Sequence, residues 1–503
     1  MQYLIVSIAV ALFAIFPLTD TDVWWHLACA REWVTTWTPI REPVVNVHEF
    51  FQQVIAFVYG LGGAPLLVAF KALLWGCVFA LFLRGAMKNW VGVFVATLLA
   101  FIFRYQFEMR PVVFSLLFLG IYWNVMPWLA KDWDDSKKHW AAAIGIFCLQ
   151  WIWCKCQGLY ILGPIFALAT VVAFFDWNDL NRLLKLALFV LVLFAMPFLH
   201  SDGLLLATYP FELLNRLVGL SPSAAIFAKE IAENRSPVTL LMEGENFWTS
   251  LLMIACTMSG LVFAIKQLIG MIKAKALREG DRLLKLSVLC VTAVLALLAE
   301  RNFVLFLPVY LYFVGRLEIS SIQKAYIPGF APKSPVWKYS AIVVMMFVLG
   351  LWGKSLLVYE KNLVSSQRVP VAASQWMAAN PHDGRLFNDD RAGGYLAFVN
   401  PSDSTYIDGR FILKTADFFE QYLGFAENPE TFVEYAVQNQ IGRVILPTRY
   451  YARWNKLIAD LDSRKQAWNR VYQDEYFVVF DRPFIHCHRS VPAKKWELKW
   501  QNP

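Results

Sequence analysis

The chain has 503 residues, of which 58% are hydrophobic and only 17% charged, with a formal net charge of +8. A soluble domain carries nearer a quarter charged residues, so the composition excludes an ordinary soluble protein and points to a polytopic membrane protein. The excess Lys and Arg falls in short loops between apolar runs, the pattern of loops facing anionic lipid, and gives no reason to invoke nucleic acid.

The N-terminus, MQYLIVSIAVALFAIFPL, has no basic leading segment, and no small-x-small cleavage pattern follows it. It reads as a retained first helix over 4–18. Further apolar runs follow at 64–83, 90–103, 112–130, 140–154, 159–175, 183–199, 248–265, 284–299, 302–315 and 339–357, which predicts about eleven spans. With the N-terminus in the cytoplasm, the inside loops become Arg84–Asn89, Lys131–His139, Asp176–Lys185, Lys266–Lys285 and Arg316–Lys338. The last two are strongly basic, so the positive-inside rule supports this orientation. Three regions then face outside: loops 19–63 and 200–247, and everything from 358 to 503. This divides the chain into a transmembrane domain, 1–357, and an extracytoplasmic domain, 358–503.

The C-terminal region has a soluble composition. Strand-like runs lie at Arg385–Asn388, Thr405–Ile407, Arg443–Leu446 and Tyr476–Phe480. Helical runs lie near Ala372–Ala379, Asp417–Tyr422, Pro429–Gln440 and Tyr451–Asp462. That alternation predicts a small α/β domain. The eight cysteines are scattered, most of them inside apolar runs, and predict neither a disulfide framework nor structural zinc.

Directly after the first run stands TDTDVWWH, Thr19 to His26. The run before it is fifteen residues long and reaches only about 22 Å, against a hydrocarbon core of about 30 Å. An Asp at mid-bilayer costs about 3 kcal/mol, so Asp20 and Asp22 belong at the interface, with Trp24 and Trp25 in the aromatic belt. The segment reads equally as a helix stop with belt anchors or as a site. Two carboxylates on one short segment can hold a divalent metal, orient an acceptor or act as a base. The loop continues to His48 and Glu49, which open an amphipathic stretch, HEFFQQVIAFVYGLGG, able to lie along the membrane surface.

Other ionisable residues on the same side are Arg104, Glu108, Arg110, Lys155, His200, Asp202, Lys229, Glu230, Glu233, Arg235, Glu300 and Arg301. Singly, most read as loop ion pairs; together they form a one-sided set, which suits an enzyme better than a transporter with polar groups on both halves. In the C-terminal domain, Gly393-Gly394-Tyr395 reads first as a Gly-rich turn and second as a backbone approach to a ligand, and Asp408-Gly409-Arg410 reads as a tight turn with an internal ion pair; Gly393, Gly394, Tyr395, Asp408 and Arg410 are the candidate site residues there.

These motifs resemble a family of bacterial multi-span proteins related to the GT-C glycosyltransferases. The resemblance rests on Asp20-x-Asp22-x-Trp24-Trp25-His26-Leu27, His48-Glu49-Phe50, Arg110-Pro111, Arg301-Asn302, Gly393 to Leu396 and Asp408 to Arg410, in that order over most of the chain. The chain departs from the family pattern at Ala30, where Gly is usual, and in Glu42 to Asn46 before the His-Glu pair.

The resemblance implies a GT-C-like helical bundle of about eleven spans in the bacterial inner membrane. It also implies transfer of a sugar from a polyprenyl-phosphate-linked donor to an acceptor on the outer face. Asp22, ahead of Asp20, is then the expected base. Arg104, Arg110 and Arg301 are expected to hold phosphate, since guanidinium matches phosphate oxygens. His26, His48, Glu49, Glu108, Glu233 and Asn302 are further candidates for substrate binding. A divalent ion, Mg or Mn, held by Asp20, Asp22 and His48 is compatible with the chemistry but not required by it. The competing readings are a transporter or flippase of a polar lipid precursor, and a non-enzymatic envelope assembly protein.

Overall fold

The computed structural model describes residues 2–41, 43–131, 133, 136–218, 226–227, 232–274, 279–316, 335–410 and 413–483. Each of the eleven apolar runs falls on a helix. In chain order these are α1 (Gln2–Phe13), then a short α2 (Asp22–Cys29), α3 (Glu49–Leu83), α4 (Trp90–Ile102) and α5 (Val112–Lys131). Next come α6 (Lys137–Cys154), α7 (Leu162–Ala173), α8 (Leu180–Ala195), α9 (Gly203–Val218), the short α10 (Pro237–Met242) and α11 (Phe247–Lys273). The bundle closes with α12 (Gly280–Leu298), α13 (Phe303–Arg316) and α14 (Pro335–Leu356). Among the described residues, five helices are long and apolar enough to cross a membrane, and three more apolar helices are shorter. Parts of the two strongly basic loops, 275–278 and 317–334, lie outside the described residues, as do Lys229 and Glu230.

Local chemistry sets several helix starts. Asn89, Ser136 and Asp179 accept backbone N–H bonds from residues three further on, the preferred capping arrangement. Helix α3 is 35 residues long and breaks at Gly62 and Gly63, where Gly63 has φ +63°. An unbroken helix of that length would run about 52 Å, well past the hydrocarbon core. The break separates the amphipathic half, which opens at His48, from the apolar half after Pro65. Helices α1, α3, α4, α5, α13 and α14 pack about one core that includes Phe13, Trp75, Phe79, Phe103 and Phe303.

The C-terminal region opens with α15 (Val371–Ala379), then β1 (Arg385–Asn388), α16 (Asp390–Val399), α17 (Ala416–Glu427) and α18 (Pro429–Gln438). It ends with β2 (Ile441–Pro447), α19 (Asn455–Ser463), β3 (Asn469–Gln473) and β4 (Phe477–Asp481). The strands form one sheet in the order β1-β2-β4-β3, with β1 and β2 parallel and the other pairs antiparallel. Strand β2 is buried along its whole length, and a core covers each face: Phe387, Tyr422 and Trp454 belong to one, Leu386, Ile445 and Val479 to the other.

Two local expectations change. Residues 405–407 form no strand; Thr405 makes only an isolated bridge to Thr36 of the first loop. Residues 391–395 form no turn but lie inside α16, whose start is capped by the buried Asp389 carboxylate accepting from Arg391 and Ala392 N–H. The glycines there serve packing. A Cβ on Gly393 would stand 1.8 Å from the Ile407 carbonyl, and one on Gly394 would stand 2.9 Å from the Trp25 nitrogen.

Candidate active site

The first loop, the turn before α5 and the C-terminal region meet around TDTDVWWH. Asp20 is buried. Its Oδ1 accepts from Arg110 Nη2 at 3.0 Å and from the Asp22 backbone N–H at 3.3 Å. The second bond folds the chain into the start of α2. Arg110 also donates two bonds to Glu233, at 2.6 and 2.9 Å, a bidentate fork. Thr19 donates to Glu108, and Lys71, fully buried in α3, donates to the Phe16 carbonyl at 3.1 Å with its ammonium over the Phe16 ring. Asp20 Oδ2 and Glu108 Oε2 are buried without a hydrogen-bond partner.

Asp22 stands on the other side of that pair. Its Oδ1 accepts from the Trp25 indole at 3.0 Å. Burial, and then the neighbouring Asp20 charge, push the Asp22 carboxyl up to about 7, against the pull of Arg110 and the indole. Burial pushes Glu108 up to about 7 as well, with Lys71 opposing and Asp20 adding. Burial also raises Glu233, but Arg110 outweighs it and holds that carboxyl below its usual range. Arg301 feels Glu233, Arg110 and Asp22, and forms no ion pair among the described residues.

Among the expected residues, the structure brings Asp20, Asp22, Glu108, Arg110, Glu233 and Arg301 together. His26 and His48 flank them: their rings lie 5.1 Å apart, and His48 lies 6.0 Å from Trp25. Burial holds both imidazoles neutral, His48 at about 4 and His26 well below its ordinary value.

Three candidates stand elsewhere. Arg104 donates to the Phe101 carbonyl and stacks on Phe101 and Trp352. Glu49 pairs with Lys155, which also binds Asp202. Asn302 donates to the Leu295 carbonyl.

The three-ligand metal arrangement is not formed. His48 Nδ1 faces the Cys156 carbonyl at 3.1 Å, Arg110 occupies Asp20 Oδ1, and the described residues contain no metal-holding group of three His, Cys, Asp or Glu side chains.

The C-terminal region closes over the same segment. Asp408 and Arg410 pair at 2.6 Å, as the sequence leads one to expect, and Arg410 reaches further, to the Trp33 carbonyl and the Thr35 hydroxyl, each at 2.6 Å. Lys414 donates to Thr36, Thr38 and Pro39. Tyr395 stacks edge-on against Trp24, with centroids 4.8 Å apart.

Sequence reasoning missed Lys71 and Arg368. Lys71 carried a signal, as a lone cation inside an apolar run. Arg368, which donates to the Thr19 carbonyl at 3.2 Å, carried none.

The multi-helix bundle with its appended sheet shares its overall fold with solved oligosaccharyltransferases, which are GT-C proteins. The solved structures it resembles include an archaeal oligosaccharyltransferase, AglB of Archaeoglobus fulgidus, in complex with an inhibitory peptide and a dolichol-phosphate. The TM-score is 0.56 at 12% identity, over 93% of this chain and 72% of that one. Another is an oligosaccharyltransferase of the same organism in complex with Zn and sulfate, at TM-score 0.55 and 12% identity, over 93% and 71%. At that identity the likeness is one of fold. No protein-family model and no curated relative matches the sequence.

Proposed function

We propose that this chain is an integral membrane glycosyltransferase, moving a sugar from a polyprenyl-phosphate-linked donor to an acceptor on the outer face of the membrane. The observation that carries the reading is geometric: Asp22, held by the Trp25 indole, stands next to the Asp20–Arg110–Glu233 charge cluster, and burial raises its carboxyl to about 7. A base is most effective when its pKa lies near the working pH. Asp22 takes the proton from the acceptor's nucleophilic atom as that atom bonds to the anomeric carbon. The bond from that carbon to the phosphate oxygen breaks, and the lipid phosphate leaves with the electron pair.

Arg110 is already shared between Asp20 and Glu233. Arg301 and Arg368 form no ion pairs among the described residues and are the cations that receive the developing phosphate charge. Asp20 holds Arg110 in place and, by its own charge, keeps Asp22 basic. The dolichol-phosphate in the AglB complex supports a lipid-linked donor here.

The test uses full-length protein in lipid nanodiscs, radiolabelled polyprenyl-phosphate sugars and a panel of peptide, lipid and glycan acceptors. The expected result is transfer that is abolished by Asp22→Asn. Transfer that persists when Asp20→Ala and Asp22→Ala are combined refutes the assigned chemistry.

A further inference from the structure

Gly409 belongs to the C-terminal region, far in sequence from the first loop, yet a Cβ on it would stand 2.2 Å from Asp22 Oδ1. The same atom would stand 2.9 Å from both Cδ1 and Nε1 of the Trp25 indole. A side chain there would displace the Asp22 carboxylate or the indole. Asp22 Oδ1 and the indole meet at 3.0 Å directly beneath the Gly409 backbone.

The flanking residues fix that backbone. Arg410 N–H donates to Asp408 Oδ1 at 2.9 Å, closing the turn. The Arg410 guanidinium binds Asp408, Thr35 and the Trp33 carbonyl, and Thr35 donates to Asp408 Oδ2 at 2.8 Å. Thr35 and Trp33 follow α2 in the same loop that carries Asp22. The turn is therefore bolted to the loop at one place and pressed on Asp22 at another. Gly394 adds a second close approach on the same helix, against Trp25.

We infer that Gly409 is a positioning residue for Asp22, and that the Asp408-Gly409-Arg410 turn holds the carboxylate and the Trp25 indole in register. The inference rests on the transferase reading for what Asp22 does, not for where it sits. One oxygen of Asp22 is held by the indole under the turn, while the residue as a whole is only half-buried. The C-terminal region thus helps to build the site rather than merely standing beside it.

The test reads Asp22 directly and needs no sugar. Full-length protein in nanodiscs is treated with dicyclohexylcarbodiimide, which adds to carboxyl groups, and peptide mass spectrometry gives the labelling rate at Asp22 and, as a control, at Glu108. Gly409→Ala is expected to change the Asp22 rate several-fold and leave Glu108 alone. Thr35→Val adds no bulk and removes one bolt of the turn, so it is expected to alter the Asp22 rate as well, and it serves if Gly409→Ala does not fold. Unchanged Asp22 labelling in folded variants overturns the inference.

Where turnover is found, Gly409→Ala should lower kcat by about 10²-fold, the scale of an ångström-level misplacement, with KM for the polyprenyl-phosphate sugar unchanged. A raised KM with normal kcat also overturns it. Altered labelling in a protein that transfers no sugar leaves the positioning role standing and removes the transferase reading.

Discussion

Removal of Arg110 tests the charge cluster quantitatively. Its guanidinium serves two carboxylates of very different exposure: the Asp20 side chain is 3% exposed and that of Glu233 is 47%. Water can replace the guanidinium at Glu233, so that pair contributes no more than about 1 kcal/mol. Water cannot do so at Asp20, where an uncompensated buried carboxylate costs about 3–5 kcal/mol. Arg110→Ala is therefore expected to destabilise the protein by roughly 4 kcal/mol, nearly all of it through Asp20. The assay is a double-mutant cycle with Asp20→Asn, read by equilibrium unfolding in mixed dodecylmaltoside and dodecylsulfate micelles. A neutral amide does not need the cation, so the double variant should fall short of the summed single losses by about 2 kcal/mol. Additivity to within about 0.5 kcal/mol would mean that Asp20 does not depend on Arg110, and the reasoning would fail.

Trp25→Phe removes the hydrogen bond that lowers the Asp22 pKa, so the rising limb of kcat/KM against pH, placed near 7, should move to higher pH; a downward move refutes Asp22 as the base. Gly394→Ala forces α16 off Trp25 and should cost about 1–3 kcal/mol in the same unfolding assay. An unfolding free energy equal to wild type would show that the two helices part freely. Burial, and then Arg443, lower His382 from 6.5 to about 4. A depressed folded-state pKa in a histidine contributes stability that is full above 6.5 and is lost as pH falls from there through about 4. The melting temperature of wild type should drop over that window, and His382→Gln should flatten the drop; equal slopes would exclude His382 as the source.

Hydropathy was enough to find the eleven helices under the apolar runs, because apolar runs of that length have few other solutions in lipid, but α2, α9 and α10 lie in segments read as outer loops. The C-terminal region was less legible. Strands β1, β2 and β4 stood out by their apolar residues, but β3 is largely exposed, and its sequence NRVYQ carries no burial signal. Helix α16 was hidden by Gly393 and Gly394, which read locally as punctuation. Their purpose is a close approach, of Gly393 to Ile407 in the following segment and of Gly394 to Trp25, hundreds of residues away. The same holds for the site. Asp20, Asp22 and Arg110 announced themselves through motif and depth, whereas Gly409 and Arg368 matter only through distant neighbours. Arg104, Glu49 and Asn302 had the right residue types on the expected side, and found partners of their own.

The two aspartates of the TDTDVWWH segment differ by what the fold puts opposite each. Asp20 faces a guanidinium, and its Oδ1 is taken by Arg110 and by the Asp22 backbone. The other oxygen, Oδ2, has no hydrogen-bond partner but is buried. Asp22 faces an indole, which donates one neutral hydrogen bond, and the Asp20 charge next to it outweighs that of Arg110. Its proton affinity is raised and its partner is weaker. The chemistry therefore falls to Asp22 and the electrostatics to Asp20, so Asp20→Asn should lower the pH at which Asp22 deprotonates, whereas Asp22→Asn should end transfer at every pH.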